Sequence, residues 1–322
     1  MTGLLLVQLG TPDAPTYRGL FPYLRQFLSD RRVIEVPRPV WLPLLYGFIL
    51  PFRSGASAAK YRRIWHPETG SPLLHYTKRQ TALLQEQFPG TPVRFGMMIG
   101  NPPLRAAVRE LVDAGVDRLV ALPMFPQYSA TTSASATDAL FGALMKERRV
   151  PAVRVVPPYY AHPAYLDALE ANYRDDVARL GWEPDHVVIS FHGIPQKYAR
   201  RGDPYATHVV RTTQALVKRM GWPRGYWTQT YQSRFGKSPW LKPYTDDVLQ
   251  SLAKRGVKRV YVMLPGFTAD CLETIDEIGH ESREVFEHAG GEKLHAGRCL
   301  NDHPKWVGAM ARILRDEAAG WL

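Results

Sequence analysis

Two short stretches carry side chains whose type and spacing suit metal or proton chemistry. The first is Ser190-Phe191-His192-Gly193-Ile194-Pro195, directly after the apolar run Val187-Val188-Ile189. A neutral imidazole just beyond a strand can bind a divalent metal or accept a proton near neutral pH. The other use of such a histidine is to hydrogen-bond its own loop. The second stretch, Phe267-Thr268-Ala269-Asp270-Cys271-Leu272-Glu273, leads into Thr274-Ile275-Asp276-Glu277-Ile278-Gly279-His280-Glu281-Ser282-Arg283-Glu284. At about 100° per residue an α-helix would set Glu273, Glu277, His280, Glu281 and Glu284 within one face. Like charges four residues apart cost roughly a few tenths of a kcal/mol each, so a solvated surface gains nothing from this ladder. The ladder could instead pass hydrated cations in or protons out. The competing reading is a plain acidic face among basic neighbours.

Signatures of other chemistries are missing. No G-x-G-x-x-G follows a strand-like run, and Gly236-Lys237-Ser238 only imitates the end of a phosphate-binding loop, because the glycine required five residues earlier is Tyr231. Neither H-E-x-x-H nor G-x-S-x-G occurs. The two cysteines, Cys271 and Cys299, cannot build a disulfide framework or a four-thiolate metal site within one chain. They suit a reducing compartment.

The elements that must position these residues follow from periodicity. Apolar runs at Leu4–Leu9, Val93–Ile99, Arg118–Met124, Val153–Val156, Val187–Phe191, Tyr226–Tyr231 and Val257–Leu264 read as strands. Between them Pro103–Ala114, Ala134–Arg148, Pro163–Leu180, Tyr205–Met220 and Tyr244–Lys254 carry apolar residues at a spacing of three to four and read as helices. That alternation predicts an α/β protein with parallel sheets and crossover helices. RLVALPMFPQYS at 118–129 and KRVYVMLPGFTAD at 258–270 echo each other, as a duplicated doubly wound domain would require. The expected division is residues 1–150 and 151–322, the final helix Pro304–Gly320 being free to pack on either unit. In doubly wound sheets ligands lie beyond the carboxyl ends of the strands, which is where His192 and the approach to Glu273 fall.

With 322 residues, 45% of them apolar and 22% charged, the chain is long enough for two cored domains. Lys and Arg number 41 against 30 Asp and Glu, a formal charge of +11. The basic residues are scattered in pairs such as Arg31–Arg32, Arg62–Arg63 and Arg200–Arg201, with no nucleic-acid motif or long basic run, so nucleic acid is not the expected partner. The N-terminus lacks a basic n-region and has an apolar run of only six residues, so it reads as a strand and the expected location is the cytoplasm. Pro39–Phe52, PVWLPLLYGFILPF, is uncharged but short of the roughly 20 residues of a span. Through Leu44, Leu45 and Ile49 it could touch a bilayer without crossing it, which would make the protein peripheral at the inner membrane face.

Successive blocks of the sequence resemble the ferrochelatases, in particular the bacterial type that makes protohaem: LVQLGTPDAPT, FLSDRRVIE, Gly70-Ser71-Pro72-Leu73, PQYSATTS, SFHGIPQKYARRGDPY, QSRFGKSPWLKPYTDD and ADCLETIDEIGHESREVF. They run in order from about residue 4 to 300, and FHGIP and CLETIDEI are the specific ones. The resemblance implies two similar Rossmann-like domains with a porphyrin cleft between them and the apolar segment 39–52 as its lip. It implies insertion of Fe(II), a substrate, into protoporphyrin IX, the last step of haem biosynthesis. His192 and Glu273 would flank the metal as catalytic residues and ligands. Arg53, Tyr61, Ser71, Tyr128, Ser129, Trp240 and Phe267 match porphyrin-binding positions, and Glu277, Glu281 and Glu284 continue the acidic ladder. No permanently bound cofactor is implied, and Ala130 with the shortage of cysteines leaves no place for the iron–sulfur cluster some members carry.

The chain departs from the family at several positions. Leu9 replaces a tyrosine or methionine, Cys271 stands where some members have histidine, and Met98-Ile99 replace the Arg-Tyr of many relatives. The last change keeps two alternatives open: a haem or porphyrin carrier without turnover, and a chelatase acting on coproporphyrin or another tetrapyrrole.

Overall fold

Leu4, Leu5 and Leu6 have no exposed surface, because the strand that carries them, β1 (Thr2–Thr11), is central in its sheet and covered on both faces. The computed structural model describes every residue except Lys237, so the Gly236-Lys237-Ser238 triplet lies partly outside the described residues. The chain divides into two compact units, Met1–Pro158 with Met310–Leu322, and Tyr159–Ala309.

In unit 1, β1 is followed by α1 (Tyr17–Leu28), α2 (Arg38–Leu44), a π-helical turn Leu45–Ile49, α3 (Leu50–Ile64), α4 (Pro72–Gln87) and β2 (Val93–Gly100). After these come α5 (Leu104–Asp113), β3 (Arg118–Pro123), a second π-helical turn Ala130–Ala134, α6 (Ser135–Leu144) and β4 (Ala152–Val155). The four strands are parallel in the order β2-β1-β3-β4, with Leu6 level with Phe95 on one side and Leu122 on the other. Beyond them the apolar segment 39–52 splits by face. Leu45 is fully buried with Leu28, Trp41 and Leu50, and Ile49 packs part-buried against that cluster, so of the three side chains expected to meet a membrane only Leu44 is exposed. The exposed ones are Val40, Leu44, Tyr46, Phe48 and Phe52, the last 76% exposed.

Unit 2 repeats the plan. It holds α7 (Pro163–Leu180), β5 (His186–His192), α8 (Gln196–Arg200), α9 (Tyr205–Met220), β6 (Trp227–Gln232), α10 (Thr245–Lys254), β7 (Arg259–Met263), a π-helix Glu273–Ser282, α11 (Arg283–His288) and β8 (Lys293–Ala296). The last helix, α12 (Pro304–Glu317), begins in unit 2 and passes into unit 1 at Met310. The sheet is again parallel, β6-β5-β7-β8, so β3 and β7, which carry the echoing sequences, occupy the same place in their sheets. The strand β8 was not expected. It has four residues, of which only Leu294 is buried, and an edge strand this short leaves almost no periodic signal.

The segment after Leu272 also differs from expectation. It is a π-helix over Glu273–Ser282 and becomes α-helical only at Arg283. Bonding from i to i+5 widens the turn, so the five side chains counted at 100° per residue do not form one straight ladder. No helix among the described residues is long and apolar enough to cross a membrane.

Candidate active site

His192 is the last residue of β5, level with Gln232 at the end of β6. Its ring is part-buried and its Nδ1 lies 2.7 Å from the carbonyl oxygen of Gly193. A carbonyl only accepts, so Nδ1 carries the proton and Nε2 keeps its lone pair for a metal or a proton. The loop bond and the chemical use are thus compatible, one nitrogen serving each. Tyr205, buried, donates to the His192 carbonyl at 2.8 Å. Gly193 follows because there is no room for a side chain: a Cβ would sit 3.0 Å from the Gln232 oxygen and 3.1 Å from the Trp240 ring. The Trp240 ring centre is 6.3 Å from that of His192, tilted by 47°, and its loop is tied to the segment after β5 by Leu241 N–H donating to Ile194 O at 3.0 Å.

Glu273 opens the π-helix, and the loop before it is pinned by a buried carboxylate. Asp270 accepts from Thr274 Oγ1 at 3.0 Å and from Asn301 Nδ2 at 2.6 Å, while its N–H donates to Asn301 Oδ1 at 2.8 Å. Phe267 lies in this loop and packs on the core of unit 2. Cys271 and Cys299 are free thiols, both pushed well above the usual range by burial and then by nearby carboxylates, Glu273 for Cys271 and Asp270 for Cys299.

Glu277 is held by short hydrogen bonds. Ser233 donates to it twice, from N–H to Oε1 at 2.6 Å and from Oγ to Oε2 at 2.6 Å. Ser233 holds a left-handed backbone, φ 63°, a conformation uncommon outside glycine and asparagine and often stored at functional sites. Burial pushes the Glu277 carboxyl above the ordinary range; the Ser233 bonds and His192 oppose this, and Glu273 adds to it. His192 and Glu273 are therefore each close enough to act on the charge of Glu277. Glu281 is part-buried on the same π-helix, whereas Glu284 is exposed on α11, so the series does not continue as a single face. Among the described residues no three His, Cys, Asp or Glu side chains are grouped so as to hold a metal ion, so metal ligands here would be single groups such as His192 Nε2 and the Glu273 carboxylate.

The remaining expected residues lie in unit 1. Arg53 is exposed and Tyr61 buried, both on α3, with the Tyr61 ring edge-on to Tyr23 at 6.3 Å. Ser71 is buried with its Oγ 2.8 Å from Thr11 Oγ1. Tyr128 is part-buried after β3, and the neighbouring Ser129 is buried, its Oγ accepting from Thr131 N–H at 3.3 Å. The hydroxyls of Ser71 and Ser129 thus have partners within the fold.

Comparison with known proteins bears on the chain as a whole. The Ferrochelatase family model matches residues 1–318. The chain belongs to the ferrochelatase family. It is 48% identical over 312 residues to a ferrochelatase of Pectobacterium atrosepticum, covering 97% of each chain. It is 46% identical over 324 residues to one of Mesorhizobium japonicum, covering 99% of this chain and 92% of the other. Among solved structures it resembles SirB from Bacillus subtilis with Fe3+, at a TM-score of 0.57 and 14% identity, covering 99% of this chain and 96% of that one. That likeness bears on the fold, the chelatase type of paired parallel sheets.

Three residues of this ferrochelatase-family chain escaped the reading from sequence. Gln232 and Ser233 head the QSRF block, and Asp270 stands three before Glu273. The signal available was only their place at strand ends, since their partners lie some thirty to forty-five residues away in sequence.

Proposed function

We propose that the protein inserts Fe(II) into protoporphyrin IX to give protohaem, and that His192 and Glu273 of unit 2 act on the metal and on the pyrrole protons. Fe(II) enters the ring as two N–H protons leave it, so charge balances and the protein must accept two protons per turnover. The observation that carries the reading is the His192 ring. With Nδ1 committed to the Gly193 carbonyl, Nε2 offers its lone pair at a strand end close enough to Glu277 to act on its charge. Glu273 is the second group able to hold the metal or a proton. Glu277, raised by burial, suits a group that takes up a proton and passes it on.

The porphyrin is a flat apolar ring with anionic propionates. Aromatic faces such as Trp240, Tyr61, Tyr128 and Phe267 suit the ring, and Arg53 suits a propionate through a charge-assisted bond. Within the uncharged segment 39–52, Val40, Leu44, Tyr46, Phe48 and Phe52 are exposed, which supports a peripheral bilayer contact. Purified protein mixed anaerobically with protoporphyrin and Fe(II) or Zn(II) tests the activity. Metalloporphyrin bands appearing as free-porphyrin fluorescence falls is the expected result. Porphyrin binding with no metalloporphyrin formed would leave a carrier in place of an enzyme.

A further inference from the structure

Beneath His192 and Glu273 lies a chain of buried polar groups that the reaction does not touch. Ser190, two residues before His192, is fully buried and donates from Oγ to Gln232 Oε1 at 2.8 Å. Its Oγ is also 2.9 Å from Thr245 Oγ1, which in turn is 2.9 Å from Thr230 Oγ1. Gln232 is 4% exposed, and the other end of its amide faces the π-helix. Nε2 donates to the main-chain carbonyl of Glu273 at 2.8 Å and reaches Glu277 Oε2 at 3.4 Å. The main chain of Gln232 is engaged as well, its carbonyl accepting from Gly193 N–H at 2.9 Å. One residue therefore bonds to the loop after His192, to the backbone of Glu273 and to the carboxylate of Glu277.

We propose that Gln232 is a positioning residue that sets the first turn of the π-helix, and with it Glu273 and Glu277, against the strand end carrying His192. The side chain must be a primary amide. Its oxygen has to accept from Ser190, whose strand carries His192, and its nitrogen has to donate to two oxygens of the π-helix. A carboxylate of the same size could meet the first demand and would repel both partners in the second. A residue of the same shape without polar atoms could meet neither, and would leave buried hydroxyl and carbonyl groups unpaired. Displacement of reacting groups by about an ångström costs of order a hundredfold in rate. The effect should fall on the metal step, since no bond of Gln232 reaches toward a porphyrin-binding residue of unit 1.

The inference rests on the reading of His192 and Glu273 as the metal-handling pair. The test measures Zn(II) and Fe(II) insertion by Gln232→Met, Gln232→Glu and His192→Ala, with porphyrin affinity and thermal unfolding followed for each. We expect kcat to fall 10- to 100-fold in both Gln232 variants. The KM for metal should rise and the porphyrin Kd stay within about twofold, as a general loss of packing would not arrange. Gln232→Glu keeps the size and the Ser190 bond, and decides the matter should Gln232→Met not fold. Wild-type kcat and metal KM in Gln232→Glu, with His192→Ala inactive, would overturn this inference alone. Full turnover in His192→Ala would instead remove the reading on which it rests.

Discussion

Replacing Glu277 by glutamine separates a structural carboxylate from a working one. In the native protein Oε1 accepts from Ser233 N–H and Oε2 from Ser233 Oγ, both at 2.6 Å. Glutamine can keep both Ser233 contacts, though its NH2 cannot accept the 3.4 Å contact that Gln232 Nε2 makes to Oε2. Its oxygen takes the main-chain N–H, its NH2 donates to the hydroxyl, and Ser233 Oγ rotates to accept. The charge-assisted part of two hydrogen bonds is lost, about 1 kcal/mol each, while the cost of burying the charge is removed. Burial raises the Glu277 carboxyl, so ionisation costs the folded state more than the unfolded one. The native protein therefore loses stability from this group as pH rises past about 4.3, where an unfolded-chain glutamate ionises, and through the raised folded value. Glu277→Gln should be as stable as wild type or slightly more so at pH 7, by up to about 1 kcal/mol, with the difference vanishing at pH 4. Turnover is expected to behave oppositely. A group that takes up pyrrole protons cannot be an amide, so the insertion rate should fall about a hundredfold in weak buffer and recover in part as buffer is added. Stopped-flow insertion at several metal and buffer concentrations, beside thermal unfolding between pH 4 and 8, measures both halves. Rates that overlay wild type under every condition would leave Glu277 a structural partner of Ser233 and Gln232.

Ser233→Ala keeps the left-handed backbone and loses the hydroxyl, whereas Ser233→Gly loses the hydroxyl but relieves about 1 kcal/mol of backbone strain, so denaturant unfolding should rank Gly above Ala and both below serine. Phe48→Ser with Phe52→Ser should weaken sedimentation with lipid vesicles without lowering Tm, because both rings are largely exposed; a Tm loss of several degrees would place them in the core. Leu45→Ser, in contrast, should cost about 2–5 kcal/mol in chemical denaturation, since its side chain is fully buried among Leu28, Trp41 and Leu50.

Much of the scaffold could be read from the chain because its signals are local. Leu4–Leu9 is buried on both faces and reads as a central strand, and α7 begins at Pro163 and ends before Gly181 in the left-handed conformation. His192 was visible as a lone imidazole at a strand end, and Glu273 as the head of an acidic series. What stayed hidden is set by distant partners or by small changes in helical pitch. The geometry of Glu277 depends on Ser233, 44 residues upstream, and nothing near either residue announces the pairing. Widening the helix at Glu273 moved Glu284 to an exposed α-helical turn, and the π-helical turn at Leu45–Ile49 decided which apolar side chains of 39–52 face inward. Ten and five residues are too few for a change of period to show in composition.

The central claim is that His192 handles the protons or the metal while other groups hold the porphyrin, and the His192→Ala variant tests it most directly. Under anaerobic conditions with saturating protoporphyrin and Fe(II), single-turnover absorbance should show no protohaem above the uncatalysed rate, while fluorescence titration gives a porphyrin Kd within about tenfold of wild type, the ring being held mainly by apolar burial. Insertion at the wild-type rate would contradict the account and take His192 out of the site.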